Sequence, residues 1–484
     1  MVMSAPPAWS QVEAAFQKIW GYERFRPPQD TVIRALLAQQ DLLAVMPTGG
    51  GKSICFQLPA LLQSRTTLVV SPLVALMENQ VAELRERDLP AAVIHGDLDR
   101  FAKQRTLQAV AQNRLRLLYL SPETLLSPSV WQVLCQPQVT LNGLILDEAH
   151  CLVQWGETFR PAYRRLGVVR SALLQHRPPG TTLPIAAFTA TANPAAQQTL
   201  ETVLGLSDPL RICLSPYRNN LHLAIKTVWT PKGRQRALVK FLQNYPGQSG
   251  LVYVRTRRVA ETLADDLTRL GYNSLAYHAG LVAARRRRIE ADWIAGTMPI
   301  VVCTSAFGMG INKPDVRFVA HYQAPGTLSE YIQEVGRGGR DGQRADALTL
   351  VSERTGWFDT SDRQRQQFFA QQQQQQIRQA HQLMKRLPKA GNIQELARHN
   401  AKAPMALSIL HTTGQLTWQD PFHYRIEAKG QRVAEAGEAQ AAKEMARFLY
   451  GKGCRWQGLL RAFGCEAEAE RMGGCGHCDR CQAK

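Results

Sequence analysis

The sequence predicts an α/β protein with two tandem parallel-sheet domains, followed by a helical region that ends in a cysteine cluster. Short apolar runs alternate with helical patterns between about Asp41 and Arg211, and the same alternation restarts near Gly250. Apolar runs without polar alternation suit strands buried on both faces, and intervening helices favour parallel pairing. With 484 residues, the chain is too long for one ordinary hydrophobic core. Five of its 10 cysteines lie at or after Cys454, which indicates a separate local structure there.

The expected strands define the domain boundaries. Those of the first sheet carry LLAVMP, TLVVSP, LRLLYLSP, GLILDEAH and IAAFTAT, and those of the second carry GLVYVRT, NSLAYHAG, IVVCTS, VRFVAHY and ALTLVS. We therefore expect the first domain at residues 1–212 and the second at 213–355. A helical linker is expected at 356–450 and a metal-binding module at 451–484.

The region after Ser352 loses this alternation. Helix-like segments at 377–387, 393–400 and 405–413 precede the short segments LTW and HYRI. Three helices and a two-stranded ribbon would form a winged-helix unit, and a plain helical connector accounts for the pattern equally well. The glutamine run at 371–376 is interpreted as a solvated helix or linker.

The net charge and the hydropathy of the sequence limit which partners and which cellular compartment we expect for the protein. The formal net charge of +19 makes nucleic acid the first partner to consider, although a merely basic protein would share it. No apolar stretch approaches the ~18 residues that a membrane span needs, and the amino terminus lacks the pattern of a secretory signal. We therefore expect a cytoplasmic protein with no membrane partner and no disulfides. The scattered cysteines are interpreted as small buried apolar residues: Cys55, Cys135, Cys151, Cys213 and Cys303.

A glycine-rich turn follows the first predicted strand. It reads Met46-Pro-Thr-Gly-Gly-Gly-Lys-Ser53, and glycines allow the backbone N–H groups to surround a phosphate. Lys52 would contact the β- and γ-phosphates of a nucleotide, and the Ser53 hydroxyl would bind Mg²⁺. The general phosphate-loop pattern has glycine where this chain has Met46, and a chance glycine turn is the alternative.

Two adjacent carboxylates end another predicted strand, in Leu144-Ile-Leu-Asp147-Glu148-Ala-His150. Asp147 would hold Mg²⁺ through water, and Glu148 would orient or deprotonate an attacking water. A helix N-cap is the alternative for an isolated carboxylate pair. Combination with Lys52 and Ser53 at the ends of parallel strands favours a site for nucleotide hydrolysis.

A glycine- and arginine-rich segment, Gln333-Glu-Val-Gly-Arg337-Gly-Gly-Arg340, lies in the second predicted domain. Arginine is permanently charged and offers phosphate a fork of donors. The pair suits arginine fingers that complete a nucleotide site, and a solvated basic loop is the alternative.

Together these motifs follow the order typical of superfamily 2 helicases. The segments FRPPQ, MPTGGGKS, DEAHCLVQWGETFRPAY, AFTATA, AYHAGL, AFGMGINKPDVRFVAHY and QEVGRGGRDG closely resemble the RecQ family of ATP-dependent DNA helicases. The resemblance covers residues from about 10 to 352 almost continuously, together with the cysteine tail. It implies two RecA-like motor domains with ATP in the cleft between them, followed by a zinc-binding helical region.

The resemblance also implies roles for individual residues at the nucleotide. Gln29 would contact the adenine edge, and Tyr22 and Arg26 would pack on the ring. The phosphate loop would be formed by Thr48, Gly49, Gly50, Gly51, Lys52 and Ser53, and catalysis would be completed by Asp147, Glu148, Gln333, Arg337 and Arg340.

For DNA, the resemblance implies an aromatic-rich loop at 151–163. In it Trp155, Phe159 and Arg160 would touch single-stranded bases, since aromatic faces stack on any base at ~1–3 kcal/mol each. Ser71 and Arg257 are weaker candidates for contacts with the DNA backbone. The arginine run at 285–288 is interpreted as a solvated helix face.

The cysteine tail has the spacing of a metal site. Cys454 precedes Cys475-Gly-His-Cys478-Asp-Arg-Cys481, and four thiolates in a closed set favour Zn²⁺. Cys465 and His477 are competing ligands that we leave out, and an iron–sulfur cluster is the minority alternative. RecQ-like proteins carry a zinc module of this type, with a helix after the first ligand that RWQGLLRAFG would form.

The tail departs from the larger members of the family. Only three residues follow Cys481, so a short form without the family's C-terminal helical nucleic-acid-binding domain is expected. The winged-helix candidate precedes most of the zinc ligands, whereas the larger members place it after them. Fork splitting by a wing, and any preference for branched DNA, are therefore not implied.

The functional expectation is an ATP-dependent 3′-to-5′ DNA helicase of recombination and repair. Its cofactors would be ATP, Mg²⁺ and Zn²⁺, and its substrates single-stranded DNA and tailed or forked duplexes. A monomer associated with the nucleoid is expected, with a single-strand-binding protein as a further candidate partner. The alternatives are an ATPase that clamps or remodels DNA without processive unwinding, and an RNA helicase.

Overall fold

A computed structural model describes residues 7–47, 49–153, 160–308, 311–353, 357–427 and 434–483. The chain divides into two compact units, each made of two segments. The first unit contains Met1–Leu214 and Gln373–Glu435, and the second contains Ser215–Gln372 and Ala436–Lys484. Each unit therefore combines a motor sheet with a later part of the chain.

The first unit is built on a seven-stranded, all-parallel sheet with the order β3-β4-β2-β5-β6-β1-β7. Its central strands are almost completely buried, as their uninterrupted apolar runs predict. The strands are β1 (Leu42–Val45), β2 (Thr66–Val70), β3 (Ala91–Ile94), β4 (Leu117–Leu120), β5 (Leu141–Leu146), β6 (Ile185–Thr189) and β7 (Leu210–Cys213).

Helices cover both faces of this sheet. Successive strand side chains point to opposite faces, so Leu42 and Leu43 enter two different core clusters. The helices are α1 (Trp9–Trp20), α2 (Gln29–Leu37), α3 (Lys52–Leu62), α4 (Val74–Arg85), α5 (Arg100–Ala111), α6 (Pro122–Leu125), α7 (Pro128–Leu134), α8 (Val169–Leu174) and α9 (Pro194–Leu204). Two 3₁₀ helices, Ala149–Leu152 and Pro161–Val168, lie between β5 and α8.

The second unit contains a six-stranded, all-parallel sheet with the order β10-β11-β9-β12-β13-β8. Its strands are β8 (Leu221–Val228), β9 (Gly250–Tyr253), β10 (Ser274–Tyr277), β11 (Ile300–Cys303), β12 (Phe318–His321) and β13 (Ala345–Ser352). Its helices are α10 (Pro231–Leu242), α11 (Arg257–Arg269), α12 (Ala283–Ile294) and α13 (Leu328–Val335). The predicted α/β class with two parallel motor sheets is confirmed.

A small third sheet belongs to the first unit. The long helix α14 (Ser361–Met384) leads into β14 (Ala390–Asn392), α15 (Ile393–His399), α16 (Ala403–Thr412), β15 (Leu416–Trp418) and β16 (His423–Ile426). The three strands are antiparallel in the order β14-β16-β15. Helix, strand, two helices and a β-ribbon in this order form a winged-helix unit, which we define as residues 377–427.

The C-terminal helices cover the outer edge of β8 in the second unit. The fully buried Trp456 donates its indole N–H to the Leu221 carbonyl at 3.1 Å, and the Ile225 N–H donates to Asp479 Oδ2 at 3.2 Å. This edge of the sheet is therefore capped, which satisfies strand groups that would otherwise be left to solvent. The helices are α17 (Ala434–Tyr450), α18 (Arg455–Ala462), α19 (Glu466–Arg471) and α20 (Asp479–Gln482). Within the described ranges, none of the helices has the length and apolar character needed to cross a membrane.

Candidate active site and metal centre

The glycine-rich loop connects β1 to α3. Gly49 and Gly51 have φ values of 86° and 74°, in the left-handed region that glycine tolerates best. Gly51 also packs so closely against the Gln29 amide that a Cβ atom there would overlap it. The loop ends at Lys52, the first residue of α3, so free N–H groups at the helix start are available to an anion. Thr48 lies outside the described residues.

Lys52 and Ser53 are both held by protein partners. Lys52 Nζ donates to the Met46 carbonyl at 3.2 Å, and Gln80 Nε2 donates to Ser53 Oγ at 3.0 Å. Both side chains are half-buried, so a ligand in the loop can reach them. Gln80, which sequence reasoning did not select, belongs to this site because α4 brings it beside the start of α3.

The two carboxylates follow β5 at the same sheet edge. The Asp147 N–H continues the strand pairing by donating to the Val70 carbonyl at 2.9 Å. Burial and the neighbouring charge of Glu148 raise the pKa of Asp147 to about 7, against the opposing positive charge of Lys52. A bound cation would favour the ionised form of such a carboxyl group. The site is thus chemically suited to a divalent metal held by Asp147 and the neighbouring Ser53.

His150 connects the carboxylates to the next strand. Its Nδ1 atom lies 3.1 Å from Glu148 Oε2 and 3.1 Å from the Thr189 hydroxyl. Burial opposes the charged imidazole, but Cys151 and Glu148 raise the pKa of His150 to about 10. Glu148 itself has φ 51°, an uncommon backbone conformation for a residue with a side chain. His150 and Thr189 were not among the predicted site residues, although β5 and β6 carry them to the same edge.

The predicted adenine contacts surround α2. Gln29 is buried; its Oε1 accepts from the Arg26 N–H at 2.9 Å and its Nε2 donates to the Gly50 carbonyl at 3.2 Å. Tyr22 and Arg26 are exposed, which leaves their side chains accessible to a ring. The Gln29 amide therefore links the turn before α2 to the phosphate loop.

The predicted DNA contacts differ in accessibility. Trp155 and Phe159 lie outside the described residues. Arg160 pairs with Glu123 at 3.4 Å and remains partly exposed, and Arg257 is exposed at the start of α11. Ser71 is only 1% exposed, so its hydroxyl could reach a phosphate only if neighbouring atoms moved.

In the second unit, α13 ends shortly before the two predicted finger arginines. Gln333 is half-buried on α13, and Arg337 is buried with its guanidinium donating to the Gly308 carbonyl. Arg340 donates to the Ile311 carbonyl at 3.2 Å and to Asn312 Oδ1 at 3.0 Å. Gly308 and Ile311, in the loop after β11, thus each accept a hydrogen bond from one of the two arginines.

Helix α13 is anchored by a buried ion pair. Arg255 donates to the two carboxylate oxygens of Glu334 at 2.8 Å and 2.6 Å, and His321 Nε2 lies 3.0 Å from Glu334 Oε2. Burial alone would raise the pKa of Glu334, but Arg255 outweighs it and holds the value at about 2. This pair fixes the helix that carries Gln333 and precedes Arg337. Sequence reasoning missed it because Arg255 and Glu334 are far apart in the chain.

Four cysteines form a compact thiol cluster. The Sγ atoms of Cys454, Cys475, Cys478 and Cys481 all lie within 4.8 Å of one another. Two of the Sγ–Sγ distances, from Cys475 to Cys481 and from Cys454 to Cys478, are 3.9 Å. Zinc at 2.3 Å from four thiolates would set the sulfurs about 3.8 Å apart, so the cluster could hold zinc. Backbone N–H groups also point at the sulfurs, as a thiolate site requires.

The two competing ligands are not members of this cluster. His477 Nδ1 is 2.7 Å from the Cys475 carbonyl, and its ring lies 4.9 Å from the His222 ring. Cys465 comes directly after the turn that ends α18. The four cysteines predicted from their spacing are therefore brought together by the fold.

Comparison with known proteins decides the family. A model of DEAD/DEAH box helicases matches residues 26–199, and a model of the helicase conserved C-terminal domain matches residues 233–342. The chain is 50% identical over 471 residues to the ATP-dependent DNA helicase RecQ of Synechocystis, covering 97% of this chain and 98% of that protein. The chain belongs to the RecQ family of ATP-dependent DNA helicases.

Further matches agree with the RecQ assignment. The RecQ helicase of Haemophilus influenzae is 37% identical over 347 residues, which cover 72% of this chain and 54% of that relative. Among solved structures, Saccharomyces cerevisiae Dbp5 bound to RNA and ADP BeF3 matches with a TM-score of 0.57 and 18% identity. That match covers 72% of this chain and 88% of Dbp5, and it supports the fold alone.

Proposed function

We propose that this RecQ-family DNA helicase moves 3′ to 5′ along single-stranded DNA and separates the duplex ahead of it, driven by ATP hydrolysis. The observation that carries the proposal is the convergence of Lys52, Ser53, Asp147 and Glu148 at one edge of the first parallel sheet. A phosphate-binding loop beside paired carboxylates is the constellation that positions a nucleotide and an attacking water. The RecQ relatives favour DNA over RNA as the track.

In the proposed reaction, Lys52 contacts the β- and γ-phosphates, and the N–H groups of Gly49, Gly50 and Gly51 surround them together with Thr48. When bound, Mg²⁺ would neutralise phosphate charge, held by the Ser53 hydroxyl and, through water, by Asp147. Glu148 orients the water and accepts its proton. Gln333, Arg337 and Arg340 of the second unit act as the groups that stabilise charge developing on the γ-phosphate.

Base recognition is assigned to the turn before α2. The Gln29 amide would exchange its present partners for the adenine edge, while Tyr22 and Arg26 pack on the ring. Gln29 already donates a hydrogen bond to the Gly50 carbonyl, so binding of adenine to Gln29 would also change a contact of the phosphate loop. This arrangement supports selection of ATP over other nucleoside triphosphates.

DNA contact is assigned mainly to Trp155, Phe159 and Arg160, with Ser71 and Arg257 as backbone contacts. The network from Glu148 through His150 to Thr189 offers a route by which strand movement at the carboxyl edge alters the catalytic carboxylate. Coupling of this kind requires an element whose arrangement changes when DNA binds.

The remaining assignments complete the proposal. Zinc is assigned to the four-cysteine cluster. The chain is proposed to act as a cytoplasmic, nucleoid-associated monomer in recombination and repair, with a single-strand-binding protein as a partner. We retain the functional division into a first motor domain at 1–212, a second at 213–355, a linker region at 356–450 and a zinc module at 451–484.

The test combines ATPase and strand-displacement assays. Lys52→Ala and Glu148→Gln should each lower DNA-stimulated ATP hydrolysis by roughly 100-fold or more, because each removes a group acting on the transition state. Lys18→Ala, which removes an exposed lysine from α1, should match the wild type. Wild-type ATP hydrolysis by Lys52→Ala would refute the proposal.

Substrate choice in the same assays separates the alternatives. Displacement should occur on a 3′-tailed duplex and not on a 5′-tailed one. ATP hydrolysis without displacement would instead identify a clamp or remodelling ATPase. Stronger stimulation by single-stranded RNA than by DNA would identify an RNA helicase.

A further inference from the structure

The winged-helix unit uses its third helix, α16, for packing. Its sequence, APMALSILHT, contains no arginine, lysine, asparagine or glutamine, the residue types that make bidentate base contacts in the major groove. Every residue of α16 is buried or half-buried, and the helix packs against the 3₁₀ helix Pro161–Val168 of the same unit. A helix that reads DNA needs an exposed polar face, so α16 is not arranged for that role.

The turn between β15 and β16, which is the wing, is docked on the same region. Arg165 Nη1 donates to the Pro421 carbonyl at 3.1 Å. The ring of Phe422 meets the ring of Trp131 edge-on, with centroids 5.4 Å apart. Val168 packs against the core of the winged-helix unit. Both elements that a winged helix normally presents to DNA are therefore committed to the first motor unit.

The 3₁₀ helix Pro161–Val168 packs against the segment that directly follows the catalytic carboxylates. Tyr163 is fully buried in the core cluster that also contains Ala149 and Leu152, the first and last residues of the 3₁₀ helix after Glu148. On another side, Gly167 lies against the Val203 carbonyl of α9 so closely that any side chain would overlap it. One short helix thus contacts the surroundings of Asp147, the helix α9 and the winged-helix unit.

We propose that the winged-helix unit braces the 3₁₀ helix Pro161–Val168, so that DNA binding is converted into ATP hydrolysis, with Arg165 and Phe422 as positioning residues. The proposal rests on the DNA-stimulated ATPase assigned above. A 3₁₀ helix has poor hydrogen-bond geometry and depends on neighbours for rigidity. The guanidinium of Arg165 ties the helix to the wing, and Phe422 packs against the core cluster that also contains Tyr163 and Leu166 of this helix.

The test measures coupling separately from DNA affinity. Arg165→Ala and Phe422→Ala should each lower the maximal DNA-stimulated kcat by about tenfold, in line with loss of one charge-assisted or aromatic contact. The Kd for fluorescein-labelled oligo(dT) and the ATPase rate without DNA should change less than about twofold. Arg165→Lys, which retains a donor for the Pro421 carbonyl, should recover part of the stimulation.

The matched control is Arg398→Ala, which removes an exposed arginine of α15 that faces solvent. It should leave stimulation at the wild-type level. Thermal unfolding of each variant identifies gross misfolding, and Phe422→Leu provides a milder replacement if Phe422→Ala unfolds.

Three outcomes are distinguishable. Loss of stimulation with unchanged DNA affinity supports the brace. Unchanged stimulation in Arg165→Ala and Phe422→Ala overturns the brace. A loss of DNA affinity that is larger in Arg398→Ala than in Arg165→Ala and Phe422→Ala also overturns it, in favour of direct DNA binding by the winged-helix unit. A wild-type protein whose ATPase does not respond to DNA would instead refute the proposed function itself.

Discussion

The buried pair of Arg255 and Glu334 offers a quantitative test of how the second motor unit is held together. Arg255 and His321 are the charged or titratable partners of the Glu334 carboxylate in the described structure. The pKa of Glu334 moves from 4.5 to about 2, which corresponds to roughly 3 kcal/mol in favour of the folded, ionised state. The ion pair therefore stabilises the unit substantially at neutral pH.

Glu334→Gln keeps the shape of the side chain and removes its charge. Arg255 would then lose the carboxylate that pairs with it, a change that typically costs about 3–5 kcal/mol for a buried pair. Both estimates predict that the second unit loses about 3 kcal/mol of unfolding free energy at pH 7. Urea denaturation followed by tryptophan fluorescence measures the loss. Binding of a fluorescent ATP analogue reports whether the first unit stays intact.

The pH dependence gives an independent check of the sign. Because the folded pKa is depressed, the stabilisation is present above the unfolded value of 4.5 and is lost as pH falls towards 2. The difference between wild type and Glu334→Gln should therefore shrink over this window. Asp265→Asn, which alters an exposed carboxylate on α11, should change stability by less than about 0.5 kcal/mol. A Glu334→Gln loss below about 1 kcal/mol at pH 7 would refute the reasoning.

Three further predictions follow from single sites. Elemental analysis should find one zinc per chain, and iron or no metal would contradict this prediction. Cys478→Ser should lose the metal and lower the Tm of the second unit, because α18 and α20 cap β8. Burial and Arg164 hold the pKa of His411 at about 4, so wild-type stability should fall as pH drops from 6.5 towards 4. His411→Gln should flatten that fall in Tm scans, and an unchanged slope would count against it. Gln29→Ala should raise the KM for ATP about tenfold and weaken discrimination against GTP, as steady-state kinetics would reveal.

Sequence patterns located the interior strands of both sheets and the edge strand β10, and they missed three other edge strands. β3 and β7 form the two edges of the first sheet, and β8 forms one edge of the second. β7 alternates between half-buried and exposed residues, so its pattern lacks the continuous apolar run that marks a central strand. β8 is also interrupted by polar residues, and its outer edge is covered by the zinc-module helices instead of another strand.

The residues of the candidate active site and metal centre also divide into those that local sequence patterns predict and those that they do not. Lys52, Asp147 and the four cysteines were predictable because their chemistry is encoded in short local motifs. The partners that hold them, such as Gln80 on Ser53 and Thr189 on His150, come from other strands and helices. No local pattern marks a glutamine or threonine as such a partner, since only the pairing of distant segments brings them within hydrogen-bond distance.

The sequence by itself determined the fold class, the motor motifs, the cysteine set and the resemblance to RecQ helicases. The tertiary structure alone decided which unit each later segment joins: the winged-helix unit belongs with the first motor sheet, and the cysteine cluster with the second. Such motifs can be recognised in the sequence because phosphate and metal binding require particular residues at fixed spacing. Docking surfaces such as that of α16 are made of ordinary apolar residues, and the identity of their partners depends on contacts between segments hundreds of residues apart.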